Sequence, residues 1–174
     1  KDSTIAVSCY AASMKELVAQ GLDYFTSAPV RLFCHASFAA PPDAVFAKLA
    51  DPASWPTWFP MMKSAAWVGE PVATLGADRD VALTGLGRFR ERMIAWEPGK
   101  RFAFTMVQSS SPFASAMAED YKLKATATGT QLDWIMAVTP TTLGKIAVPG
   151  LRIVMRNIFE RGGKRLNAQL MSGG

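Results

Sequence analysis

The sequence predicts a single α+β domain in which a curved antiparallel sheet of about seven strands is closed by one long C-terminal helix. Three observations predict it. Successive segments in the middle of the chain alternate apolar and polar residues between turn-forming Gly and Pro positions, two short helix signals follow the first strand, and the final stretch carries apolar residues at three- and four-residue spacings. A length of 174 residues suits one domain with a substantial core.

Residues 1 to about 28 differ from the rest. Ile5, Cys9, Ala12 and Leu17 recur at near-helical spacing before Gly21, which predicts an N-terminal helical extension over 1–29, packed outside a ligand-binding domain of 30–171. From Val30 to Phe38, Leu32, Cys34, Ala36 and Phe38 alternate with Phe33, His35 and Ser37, the period of a half-buried strand. Pro41, Pro42 and Asp43 then start a short helix through Val45, Phe46 and Leu49. Asp51 and Pro52 start a second one that Pro56 and Pro60 keep to a turn or two. Strands follow at about 63–69, 76–84, 87–96, 101–108, 114–127 and 130–139, joined at Glu97-Pro98-Gly99-Lys100 and Thr128-Gly129-Thr130 by hairpin turns. Beyond Pro149-Gly150 a helix of about twenty residues places Leu151, Met155, Ile158, Phe159, Leu166 and Leu170 on one face. Gly162 and Gly163 within it point to a kink or a close contact.

Composition narrows the function. The chain is 49% hydrophobic and 19% charged, and no apolar run reaches the length needed to span a bilayer, so a soluble protein is expected, with the cytoplasm as the assumed compartment. The net charge of +5 is scattered and forms no basic block, which argues against nucleic-acid binding. Cys9, Cys34 and a lone histidine, His35, cannot assemble the usual structural zinc site, and neither a metal nor another cofactor is expected. A Cys9–Cys34 disulfide would need an oxidising compartment; reduced thiols are the expectation. The chain starts at Lys1, so the presence of a leader is left open.

A bent sheet must cover its concave face, and only the last helix is long enough to do so; the space between them is where a pocket belongs. Alternation nominates Phe89, Glu91, Met93, Phe102, Phe104, Met106, Tyr121, Leu123, Leu132, Trp134 and Met136 as the inward face, with Met155 and Phe159 opposite on the helix. Trp55, Trp58 and Phe59 are candidates to guard the mouth. Nine methionines suit a surface that adapts to an apolar ligand. Glu91 falls between Phe89 and Met93, where an unpaired carboxylate would be expensive to bury and its pKa would rise, as acid/base work requires. The alternative is a one-residue bulge that turns Glu91 outward to an arginine. Glu119 and Tyr121 are in phase nearby, so Glu91, Glu119 and Tyr121 are the catalytic candidates. Arg88, Arg90 and Arg92 fall on the opposite, convex face.

The chain resembles the SRPBCC, or START-like, superfamily and within it the polyketide cyclase/dehydrase and lipid transport group. The resemblance covers about residues 30 to 170 and rests on Ala40–Phe46 (APPDAVF), Asp51–Pro60 (DPASWPTWFP), Arg90–Phe102 (RERMIAWEPGKRF) and Gly129–Trp134 (GTQLDW). It implies a helix-grip fold with a central cavity, found in lipid carriers, hormone receptors and aromatase/cyclases alike, so the chemistry must come from the site. The leading expectation is a binding or transport protein for a small hydrophobic molecule (lipid, isoprenoid or polyketide-like), with Glu91 and Tyr121 orienting its polar group. The competing one is a cyclase/dehydrase in which the same residues move protons. Arg152, Arg156, Arg161, Lys164 and Arg165 on the last helix allow transient contact with an anionic membrane surface. The oligomeric state is left open.

Overall fold

The computed structural model describes residues 14–69 and 73–172. The strands are β1 (Lys15–Glu16), β2 (Val30–Phe38), β3 (Met62–Trp67), β4 (Asp78–Leu83), β5 (Gly87–Glu97), β6 (Arg101–Ser109), β7 (Ala114–Thr126) and β8 (Gly129–Pro140). The helices are α1 (Tyr24–Ser27), α2 (Pro42–Ala50), α3 (Trp55–Trp58) and α4 (Thr142–Ser172), with a 3-10 turn at Pro52–Ser54. The sheet is antiparallel in the order β2-β8-β7-β6-β5-β4-β3, a meander closed by pairing its first long strand with its last. Short turns produce this order. Gly129, at φ +141°, makes the β7–β8 hairpin where a Cβ would lie 2.0 Å from the Phe38 carbonyl oxygen.

Four register shifts interrupt the ladders, two of them between β5 and β6. Between the β5–β6 pairs Arg90↔Gln108 and Glu91↔Met106 the extra residue is Val107, on β6; between Met93↔Phe104 and Ala95↔Ala103 it is Ile94, on β5. The second reverses the phase of β5, so Trp96 packs against Phe46 with ring centroids 5.5 Å apart. The main core lies between the concave face, α2, α3 and α4. A smaller one lies on the convex face, where Tyr24 and Phe25 of α1 cover Ala95, Ala103, Ala116, Ala118 and Ala137. The Tyr24 hydroxyl is 2.7 Å from Thr139 Oγ1.

The ends of the chain depart from the sequence-based expectation. Residues 1–13 lie outside the described residues, and Cys9 with them. Among the described residues up to about 28, the expected helix is represented by the single turn α1, while Lys15–Glu16 pairs with Gln108 and Ser109 as a strand. The reason is an unfilled split: β6 pairs with β7 only over Arg101–Thr105, and beyond it Leu17 N–H donates to Val107 O and Val18 N–H to Ser115 O. The backbone of 15–18 satisfies polar groups that the diverging strands leave open. At the other end α4 begins at Thr142, ahead of the expected start beyond Gly150, and runs through Pro149. Gly162 is explained by contact: a Cβ there would lie 3.2 Å from Pro60 Cδ and 3.6 Å from Trp58 Cε3.

Candidate functional site

Every residue nominated for the inward face is buried, and the convex-face assignment of Arg90 and Arg92 also holds, through pairs with Asp80 and Asp78. The concave volume is largely filled by these side chains. What remains is a narrow cavity of about 80 Å³, room for several waters at the ~10–15 Å³ that each needs. Its walls include Trp55 and Phe59, Phe89 and Glu91 of β5, Phe104 and Met106 of β6, Met117 and Glu119 of β7, Met136 of β8, and Leu151 and Met155 of α4. Five methionines border it: Met62, Met106, Met117, Met136 and Met155. Of the expected lining residues, Trp58, Met93, Tyr121, Trp134 and Phe159 do not border it. They are packed behind the wall, as in the parallel stack of Trp134 on Phe159 at 4.8 Å. Trp55, Trp58 and Phe59 form buried wall and core instead of guarding a mouth.

A second, open apolar groove of about 230 Å³ runs under the first turns of α4, between Gly144, Ala147, Val148, Gly150 and Val154 on the helix and Ala114, Val138 and Pro140 below. Leu86, Phe113, Met117 and Leu151 border both spaces and form the junction between them. These four were missed in the sequence because the junction depends on α4 starting early, over a stretch that reads as a Pro/Gly break.

Polar chemistry is confined to the inner cavity. Glu91 points inward despite the bulge beside it, because the extra residue belongs to β6 and leaves the alternation of β5 intact. It pairs with Arg79, directly opposite on β4: Arg79 Nε donates to Glu91 Oε2 at 2.8 Å, and Nη2 lies 2.6 Å from the same oxygen. Arg79 is fully buried, its guanidinium 4.6 Å from the Trp55 ring centroid and 5.1 Å from that of Phe104. Neither Nη completes a well-aligned hydrogen bond with the described residues, so the cation rests on one carboxylate and on aromatic faces. Burial pushes Glu91 up and Arg79 holds it back, with a net upward direction.

Glu119 forms the second cluster. Tyr121 Oη donates to its Oε2 at 2.6 Å and Trp134 Nε1 donates to the same oxygen at 2.9 Å, while no described residue bonds to Oε1. Burial pushes the Glu119 pKa up to about 7, reinforced by the Glu91 charge and opposed by the two hydrogen bonds and Arg79. The Tyr121 hydroxyl is pushed well above its ordinary value, by burial first and by Glu119 second. The three expected catalytic candidates therefore stand together, but only Glu91 and Glu119 reach the cavity; Tyr121 acts on Glu119 from behind. Such a site can hold a neutral acid at neutral pH or take up a proton from a bound molecule.

Arg79 was missed, although a signal was present. Asp78-Arg79-Asp80 pairs in antiparallel register with Arg90-Glu91-Arg92, so each charge faces its opposite across the strands. His35 is exposed and bonds Asp133 at 2.7 Å, on the face opposite buried Cys34.

A bent antiparallel meander gripping a long C-terminal helix around an apolar cavity defines a helix-grip protein. Residues 35–170 match the family of polyketide cyclase / dehydrase and lipid transport proteins, and the chain belongs to that family. Uncharacterized proteins of Mycobacterium tuberculosis and Mycobacterium bovis are 33% identical over 117 residues, 67% of this chain and 70% of theirs. Among solved structures, the di-domain ARO/CYC StfQ from the steffimycin biosynthetic pathway is similar with a TM-score of 0.69 at 17% identity, over 83% of this chain and 52% of that one. Ara h 8.0201 matches at 0.62 and 13% identity, covering 82% of this chain and 98% of its own. A Thermobifida fusca protein matches at 0.64 and 18%, covering 80% and 92%. At these identities the structural likeness speaks for the fold.

Proposed function

We propose that the protein binds a small, mostly apolar molecule carrying one hydroxyl or carbonyl oxygen, with that oxygen at Glu119 and Glu91 and the apolar body toward the methionines. The observation that carries this is the polarity of the cavity wall: among the described residues, Glu91, Glu119 and Ser111 are its only polar ones. A neutral Glu119 donates to a carbonyl, an ionised one accepts from a hydroxyl, and its Oε1 has no competing partner. An anionic head is disfavoured by two carboxyl groups against one arginine. The cavity is small, so the ligand makes its room by moving methionines, whose three torsions let them repack at low cost.

The test uses 2-naphthol and naphthalene as probes, followed by calorimetry or fluorescence. Binding of 2-naphthol should exceed that of naphthalene, Glu119→Gln should narrow the difference, and Leu151→Trp should remove both by closing the junction. Failure of both probes to bind the folded protein would defeat the reading. A second reading, a cyclase or dehydrase, is supported by one observation, the Glu119 pKa near neutrality beside Tyr121. There the Glu119 carboxylate would take a proton from a carbon between two carbonyls, and its acid form would protonate the alkoxide formed on closure. Loss of conversion of a poly-β-ketone in Glu119→Gln, with 2-naphthol still bound, would establish that reading over the carrier.

A further inference from the structure

The outer surface of α4 carries a pattern that the grip on the sheet does not need. At 3.6 residues per turn, Leu143, Ile146, Ile153 and Val154 fall within an arc of about 100°. They are 51%, 79%, 59% and 43% exposed. Lys145, Arg152 and Arg156 share a narrower arc on one flank, and Gly144, Leu151 and Met155 face the protein. No acidic residue occurs from Thr142 to Phe159; the first is Glu160. Two and three turns further along the apolar stripe, the exposed side chains become Arg161 and Lys164. Beside it, Arg31, Arg152 and Arg156 line an open groove of about 320 Å³ with an apolar floor of Leu32, Cys34 and Trp134.

We infer that the first half of α4 is a docking face for an anionic lipid bilayer. Four exposed aliphatic side chains on one stripe suit the acyl boundary, and cations on its flank and its distal end suit the headgroup layer, the pattern of a helix lying in an interface. No helix among the described residues is long and apolar enough to cross a membrane, so this helix lies on the surface. Charge selects the partner: Thr142–Phe159 carries no acid, and in the adjacent groove of Arg31, Arg152 and Arg156 the nearby acid is Glu160, 3.9 Å from Arg156, so cations outnumber it and the face complements anionic headgroups. The same turns roof the apolar groove that shares Leu86, Phe113, Met117 and Leu151 with the cavity wall, with Val154 on both the exposed stripe and the groove wall. Pro149 has no N–H for the helix ladder and lies between Gly144 and Gly150, which makes this roof the weakest part of the helix. Docking thus places the groove beside the cavity against the membrane, whatever the cavity holds.

Vesicle flotation tests this without any ligand, using phosphatidylcholine alone and phosphatidylcholine doped with phosphatidylglycerol. The whole chain should float with the anionic vesicles at least tenfold more than with the neutral ones, and added salt should release it. Ile146→Ser combined with Ile153→Ser, and separately Lys145→Glu combined with Arg152→Glu, should each cut flotation by about tenfold with an unchanged circular dichroism spectrum. Both pairs are exposed, and either one tests the face if the other misfolds. Absence of flotation, equal flotation with neutral vesicles, or flotation unchanged in both variants overturns the inference. So does a dimer by light scattering that becomes monomeric on the isoleucine substitutions, since the stripe would then be an interface between two copies. Failure here leaves 2-naphthol binding untouched, and the reverse holds too.

Discussion

Strands β4 and β5 carry three cross-strand pairs of opposite charge in succession, and the middle one faces the other way. Asp78–Arg92 and Asp80–Arg90 stand on the convex face as bidentate pairs at 2.7 to 2.9 Å, in contact with water. Arg79–Glu91 points into the core, with side chains 0% and 4% exposed. Residue types, register and distances are nearly the same, so the difference in consequence is that of the surroundings. In water the outer pairs exchange solvation for a modest attraction. Inside, the desolvation of both charges is offset by their attraction to each other and by the aromatic faces around Arg79, and hydrophobic side chains of similar shape would cost no more. The carboxylate of this costly pair, Glu91, stands on the wall of the cavity.

The largest effect should come from breaking the inner pair from one side. Glu91→Ala leaves the Arg79 guanidinium buried without its carboxylate, which should cost about 3–5 kcal/mol in urea unfolding. Arg79→Met combined with Glu91→Leu should recover most of that loss, because it removes both charges and keeps the volume. If the double variant were as unstable as the single one, the pair would be holding the sheet together and the contrast with the outer pairs would be lost.

A smaller effect belongs to Glu119 and separates the interior from the surface by pH. Its folded pKa of about 7 lies above its ordinary 4.5, so the folded state binds a proton that the unfolded chain releases. The stability contributed by this group is fully present below about pH 4.5, falls as the pH rises through about 7, and is flat above; the whole change is roughly 3 kcal/mol. Urea midpoints of wild type minus Glu119→Gln, followed from pH 4.5 to 8, should show that fall. A flat difference would mean that Glu119 is solvated, contrary to its burial.

The sheet was legible in the sequence because its physics is local. Alternation in Val30–Phe38 and the turns at Gly99 and Gly129 define each strand without its neighbours, and even Glu91 was placed on the correct face. The site was legible only as far as it depends on phase. Glu119 and Tyr121 share a face two residues apart, which alternation shows, but their hydrogen bond to each other and to Trp134 depends on how β7 and β8 twist. Arg79 required strand pairing, a non-local fact, although the complementary triplets around it pointed to the register. Two stretches misled for a physical reason: around Leu17 the near-helical spacing lost to the open backbone of β6 and β7, and Pro149 was accommodated inside a helix that packing on the sheet holds in place.

The smallest effect should come from the outer pairs. Asp80→Ala frees the Arg90 guanidinium, which is already partly solvated, so the expected loss is below about 1 kcal/mol and shrinks as salt is added. Bidentate geometry and the adjacent Asp78–Arg92 pair place it toward the upper part of that range, since neighbouring charges share the field. The measurement is the urea midpoint of Asp80→Ala at low and at high sodium chloride, beside Glu91→Ala under the same conditions. Salt should erase the first difference and leave the second, because counterions reach Asp80 and cannot reach Glu91. An Asp80→Ala loss as large and as salt-resistant as that of Glu91→Ala would mean that sheet register, and not burial, sets the strength of all three pairs.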